Sequence, residues 1–193
     1  KKEEADKVMK NVKGQKKGIV DNLEKKQFQQ APPFPFDLTT LQIEAYKCFG
    51  IQPKETLEIA QDLYTSGYIS YPRTSSQQLT PKIGYNKIMA ALAKQSIYSN
   101  LCSDLLKKEL RPNNGAKTDP AHPAIYPTGI TPKTDQRGLK IYDLIARRFL
   151  ATFSEAAVRE TIVVYIGVNK ETFIAKVTST ISKGWHIYYA PYV

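Results

Sequence analysis

The chain has 193 residues, 41% of them hydrophobic, and a formal net charge of +10 from 28 Lys+Arg against 18 Asp+Glu. That apolar content is enough to pack one ordinary domain or two small ones, and it excludes wholesale disorder. The basic surplus favours a polyanionic partner, while no apolar run approaches a membrane span. Residues 1–13 carry Ala5, Val8, Met9 and Val12 at helical spacing, with Gly14 suited to the C-terminal cap. From Gly18 to Gln30 apolar and polar residues alternate, which predicts a strand. The Pro-rich run from Ala31 to Phe36 fits neither a helix nor an inner strand and reads as a linker.

Asp37 to Thr40 offer N-cap residues for a helix over Leu41–Phe49, closed by Gly50. A second helix opens at Pro53 and stops at Gly67. Two helices on a short turn have helix-turn-helix geometry. A short apolar run, Tyr68 to Tyr71, ends at Pro72. Residues 81–94 and 97–110 read as two more helices, the first opened by Pro81. Arg111 to Gly138 is a long Pro- and Gly-bearing loop, of the kind that tends to carry function. Gly138 to Phe153 has a clear helical apolar set. Residues 159–168 and 171–181 predict two strands joined at Val168-Asn169-Lys170. Trp185 to Val193 is aromatic and reads as extended. No internal repeat is visible. The simplest organisation is a helical domain at 34–152, inserted into a β-rich domain formed by 1–33 and 153–193, an α+β protein.

Cys48 and Cys102 are the only cysteines, and His122 and His186 the only histidines. Their spacing matches no metal-ligand pattern, so no residue is assigned to a metal, and the cysteines read as reduced core residues of an intracellular protein. The chain begins KKEEADKVMK without a starting Met and reads as an excised piece of a longer protein.

The stretch from Leu63 to Ser76, LYTSGYISYPRTSS, carries the most chemistry. Tyr71 stands two residues before Arg73, just after a helix, on a turn stiffened by Pro72. A phenol has a pKa of about 10 and becomes a useful nucleophile only near positive charge or a base. An Arg can favour phenolate and clamp a phosphate oxygen through its planar fork. Thr74, Ser75 and Ser76 add hydroxyls suited to phosphate. Taken alone, the stretch reads more readily as an ordinary strand end with a surface Arg, since the chain has 12 tyrosines.

Four stretches together resemble the type IA DNA topoisomerases. LYTSGYISYPRTSS is similar to the family's nucleophile segment, in which the second tyrosine attacks DNA and an arginine binds phosphate. Those positions are Tyr71 and Arg73 here. Ser75 stands where many members have Asp. Lys117 to Gly129, KTDPAHPAIYPTG, resembles a second family box and leans toward the topoisomerase III and archaeal branch. Its His122 carries over as a DNA-phosphate or active-site contact. The run from Pro32 to Gln42 resembles the approach to the nucleophile domain, and Ile141 to Leu150 the helix that leaves it.

The resemblance implies a mainly helical, winged-helix or CAP-like nucleophile domain inserted into a β-rich arch, or hinge, domain. It implies that Tyr71 forms a 5′-phosphotyrosine link on single-stranded DNA, that a second strand passes, and that the break reseals without ATP. Arg73 would stabilise the transition state, and His122 and Lys117 would hold the backbone. In the family, Mg²⁺ is held by a D-x-D motif of another domain. No D-x-D occurs here, so Mg²⁺ belongs to the parent protein and no cofactor to this chain, which alone is expected not to relax supercoils. The implied partners are single-stranded DNA and the parent's remaining domains, in a cytoplasmic, nucleoid-associated setting without membrane. The rival reading is a non-enzymatic helix-turn-helix DNA-binding module. Its recognition helix would be a poor reader of DNA, because Glu55, Glu58 and Asp62 outnumber Lys54. A third reading makes the aromatic tail, Trp185, Tyr188, Tyr189 and Tyr192, a docking surface.

Overall fold

A computed structural model describes residues 1–193. The chain forms helix α1 (Lys2–Val12), strand β1 (Ile19–Gln30), helices α2 (Leu38–Phe49), α3 (Pro53–Thr65), α4 (Tyr85–Leu92), α5 (Ser96–Leu105) and α6 (Gln136–Thr152), strands β2 (Ala157–Val168) and β3 (Glu171–Ser182), and helix α7 (His186–Tyr189). Two compact units result. One comprises Lys1–Gln30 and Ala157–Lys183; the other comprises Ala31–Ala156 and Gly184–Val193.

The first unit is an antiparallel three-stranded sheet in the order β1-β2-β3. Pairing of β1 with β2 runs from Ile19 opposite Gly167 to Gln30 opposite Ala157, with a bulge between Val20 and Asn22. The β2–β3 hairpin turns on two residues. Asn169 takes φ 58°, a left-handed conformation that Asn tolerates better than most residues. Helix α1 is tied to this hairpin where Asn11 donates to the Glu171 carboxylate and accepts, through its carbonyl, from Asn169. Ile19, Val20, Leu23, Phe28, Ile174, Val177 and Ile181 are exposed, so this sheet is held by its ladder and cross-strand pairs more than by a core.

The second unit is helical and holds most of the buried apolar side chains. Its centre is α6, whose Ile141, Leu144, Ile145 and Phe149 are buried with Leu41 and Ala45 of α2 and with Ala60 and Leu63 of α3. Each fully buried Leu, Ile or Phe among them contributes about 1.5–3 kcal/mol. Local signals start these helices where the sequence suggests. The Asp37 carboxylate accepts from the Thr40 backbone at 2.7 Å, Pro53 occupies the first turn of α3, and Asp135 accepts from Gly138 at 2.7 Å at the start of α6. Cys102 is buried and Cys48 half-buried, both as free thiols.

Three elements depart from the sequence reading, the simplest being the helix read over 97–110, which ends at Leu105. The segment 81–94 is not one helix: Pro81–Ile83 form a single 3₁₀ turn, and Gly84 breaks it at φ 77° before α4 begins. Helical spacing of apolar residues continues across Gly84, which hides the break, but only glycine takes that backbone conformation without strain. The tail from Trp185 to Val193 is helical rather than extended, with α7 followed by a 3₁₀ turn at Ala190–Tyr192. Its rings are packed within the helical unit: Trp185, Tyr188 and Tyr189 are buried. The Arg148 guanidinium lies 4.2 Å from the Phe36 ring centroid and 4.6 Å from that of Tyr189, and it donates to the Tyr189 hydroxyl at 3.0 Å. This aromatic and cationic cover outweighs the weak helix propensity of the tail, and it leaves little of the stripe as a docking surface.

Candidate functional site

The site lies in the helical unit, where two sequence-distant stretches run side by side. After α3, the segment 67–78 meets 115–129. Thr128 donates from its backbone to Tyr68 at 2.9 Å and from its hydroxyl to Gly67 at 2.7 Å. Ile69 bridges Pro127, and the Ser70 backbone donates to Tyr126 at 2.9 Å. Farther along, the Ala124 backbone donates to Gln78 at 2.9 Å and that of Gln77 to Lys117 at 2.9 Å. Both stretches are Pro-interrupted and too irregular for a sheet, so side chains complete the pairing. The Ser70 hydroxyl accepts from the Tyr126 backbone at 3.0 Å.

This zipper brings Tyr71 against His122, with ring centroids 4.4 Å apart and planes tilted by 42°. On Tyr71 a second ring, that of Tyr64 from the last turn of α3, makes an edge-on contact at 5.3 Å and 76°. Tyr71 and His122 are half-buried, so each keeps part of its ring at the surface. Arg73 is exposed and takes no ion pair or hydrogen bond within the chain, which leaves its guanidinium free for an external anion.

His122 is held by its loop. Asp119 accepts from the backbones of Ala121 at 2.9 Å and His122 at 3.0 Å, an Asx-type turn. These bonds, that from Ala121 first, hold the Asp119 carboxyl below the usual carboxylate range. Ser75 reaches the same loop, donating to the Thr118 carbonyl at 3.3 Å and to the Asp119 carboxylate at 3.5 Å. Beside His122, a polar cleft of about 470 Å³ is lined by residues including Gln78, Lys82, Thr118 and Asp119.

The remaining sequence-selected residues fall into different places. Thr74 and Ser76 are buried at 3% and 2% exposure, and each hydroxyl accepts a backbone N–H two residues on. They shape the turn and do not reach an outside phosphate. Lys117 is exposed, but its ammonium binds the Asp37 carboxylate at 3.0 Å. Asp37 itself is buried and also accepts from Thr40 and, at 3.2 Å, from Gln77. Burial alone would raise its pKa; the Thr40 bonds and the Lys117 charge outweigh burial and hold it low. Sequence reasoning passed over Tyr64, Ser70 and Asp119 as participants. Their role depends on long-range neighbours, and only the unusual density of Tyr and Ser around position 71 signals it.

Beyond geometry, the family model for DNA topoisomerase matches residues 1–193. The chain is 48% identical over 180 residues to DNA topoisomerase 1 of Pyrococcus horikoshii, covering 90% of this chain and 26% of that protein. It is 44% identical to DNA topoisomerase 1 of Methanocaldococcus jannaschii, across 97% of this chain and 25% of that one. Among solved structures, full-length topoisomerase I from Thermotoga maritima superposes with a TM-score of 0.71 at 27% identity, over 95% of this chain and 31% of that one. The chain therefore belongs to the DNA topoisomerase family. It spans about a quarter of the length of the archaeal relatives it matches.

Proposed function

We propose that this chain is the tyrosine-bearing part of a type IA DNA topoisomerase of the archaeal and topoisomerase III kind. In this reading the helical unit is a CAP-like nucleophile domain, and the sheet with α1 is part of an arch domain. The Tyr71 oxygen attacks a backbone phosphorus of single-stranded DNA. A phosphorus–oxygen bond to Tyr71 forms while the bond to the 3′-oxygen breaks; the phenol loses a proton and the leaving oxygen gains one. One ester replaces another, so resealing by the 3′-hydroxyl needs no ATP. Arg73, free of internal partners, clamps the non-bridging oxygens as charge builds on them, and His122 keeps the phenol ring in place. The observation that carries the reading is the half-exposed Tyr71 ring held between Tyr64 and His122, two residues before an unpaired Arg73.

No three His, Cys, Asp or Glu side chains converge in the chain to hold a metal ion. In this reading the ligands for the family's Mg²⁺ belong to the rest of the parent protein, together with its remaining DNA contacts. A cytoplasmic, nucleoid-associated setting follows from the substrate. The test uses the full-length parent. Tyr71→Phe is expected to abolish the covalent adduct with a single-stranded oligonucleotide, detected as a shifted band after denaturation, while DNA binding persists. Adduct at undiminished yield would refute Tyr71 as nucleophile and favour a plain DNA-binding module. The 193-residue chain alone is expected not to relax supercoiled plasmid in Mg²⁺.

A further inference from the structure

Three rings stand in a row at the site, Tyr64, Tyr71 and His122, and the first has no part in the reading above. A tyrosine inside a core finds a partner for its hydroxyl. Tyr85 donates to Leu79, Tyr98 to Asp143 and Tyr142 to Ile130. The Tyr64 hydroxyl has no such bond, and the residue is 39% exposed at the end of α3. Its contact with Tyr71 is edge-on, which covers at most one face of one of the two rings. Beside it, a Cβ on Gly67 would meet nothing within 4 Å, so the space next to this helix end is open. The last turn of α3 carries no basic side chain, and Asp62 in it is exposed and acidic. That repels phosphate but leaves an aromatic face free, which suits a base and not a backbone.

We propose that the exposed face of Tyr64 is the stacking platform for an unpaired nucleobase adjacent to the phosphodiester that Tyr71 attacks. The inference rests on the strand-cleaving reading above. Stacking on an aromatic side chain needs a base whose own face is free, which duplex DNA does not offer. Tyr64 therefore selects single strands at the point of attack, while Arg73 handles the phosphate.

The 193-residue chain is titrated with single-stranded oligonucleotides that carry 2-aminopurine at successive positions, and with the matching duplexes. Quenching is expected at one position of the single strand. Tyr64→Ala should remove it and weaken single-strand binding by roughly five- to 150-fold, the measured range for one base–aromatic stack. Duplex binding should change little, and Tyr64→Phe should restore both affinity and quenching, which a lost hydroxyl or a loosened helix end would not allow. Trp185 fluorescence, unchanged in both variants, verifies the fold. Tyr64→Ala that binds and quenches like the unmodified chain overturns the platform and leaves the strand-cleaving reading intact. Quenching that survives Tyr64→Ala but disappears in Tyr71→Ala also overturns it. An unmodified chain that binds no single-stranded DNA at all overturns the platform, while the strand-cleaving reading stands or falls separately on the adduct assay in the full-length parent.

Discussion

Asp37 joins the start of α2 to both motif stretches, and replacing it tests how much of the site depends on that junction. Its carboxylate accepts from the Thr40 backbone at 2.7 Å, the Thr40 hydroxyl at 2.6 Å, Gln77 at 3.2 Å and Lys117 at 3.0 Å. Asp37→Ala removes an N-cap, which costs about 0.5–2 kcal/mol. It also strands the buried Gln77 amide, at about 1–3 kcal/mol. Lys117 is more than half exposed and rehydrates, so its lost pair adds no more than about 1 kcal/mol. The sum is about 1.5–6 kcal/mol, a fall in midpoint of roughly 5–24 °C for a unit of this size. Asp37→Asn keeps a cap oxygen and should cost about 1–2 kcal/mol. The single tryptophan, Trp185, is buried in the same helical unit, so urea titration followed by its fluorescence reads that unit and not the sheet. The pH dependence has a definite sign. The folded carboxyl is held below its unfolded pKa, so its stabilisation is complete above about pH 4 and is lost as pH falls through the lower folded value. The gap between the unmodified chain and Asp37→Asn should be flat from pH 7 to 5 and close below pH 4. A gap that persists undiminished to pH 2, or an Ala variant within about 0.5 kcal/mol of the parent, would refute this account.

Two further substitutions probe the walls of the site. Gly129 sits at φ 92°, and a Cβ there would fall 2.6 Å from the Ala91 Cβ and 3.2 Å from the Ile88 carbonyl. Gly129→Ala combines left-handed strain with a clash on α4, so it should cost about 2–5 kcal/mol in the same urea assay. Ser75→Asp places a second carboxylate where a hydroxyl now donates to Asp119. It should weaken oligonucleotide binding by a few-fold at low salt, an effect that shrinks as salt rises, whereas Ser75→Ala should be nearly silent; filter binding across a salt series measures both.

What the sequence makes legible here is what neighbours along the chain decide. Asp37 as a cap, Pro53 in a first turn and the Asn169 hairpin are each determined within four or five residues, and the structure has all three. The α6 helix is readable because ten of its residues are buried on a helical period. Gly84 and the aromatic tail are misread for opposite reasons. At Gly84 a continuous apolar pattern conceals a backbone break. In the tail, β-type residues become helical because Arg148 and Phe36, more than 30 positions away, supply the cover. At the site, residue type identifies Tyr71, Arg73 and His122 as candidates, through a resemblance to known motifs. Type alone does not say which hydroxyls face outward. Thr74, Ser75 and Ser76 are chemically alike, yet only Ser75 is exposed, because alternate side chains of this extended stretch point to opposite sides. Lys117 likewise looks free in sequence, and its partner Asp37 lies 80 positions earlier.

The pairing of 67–78 with 115–129 also limits how Tyr71 can move. Its own stretch is held by main-chain bonds at Tyr68, Ser70, Gln77 and Gln78, and at Thr74 by the start of α2, whose Leu38 backbone donates to the Thr74 carbonyl at 3.0 Å. Ile69 is buried beneath the ring-bearing turn. Local opening around Tyr71 would break several of these bonds at about 0.5–1.5 kcal/mol each and expose Ile69 at about 1.5–3 kcal/mol. A free energy near 5 kcal/mol makes such opening rare, with populations of roughly one in several thousand. The stretch that carries Tyr71 is therefore a rigid part of the helical unit.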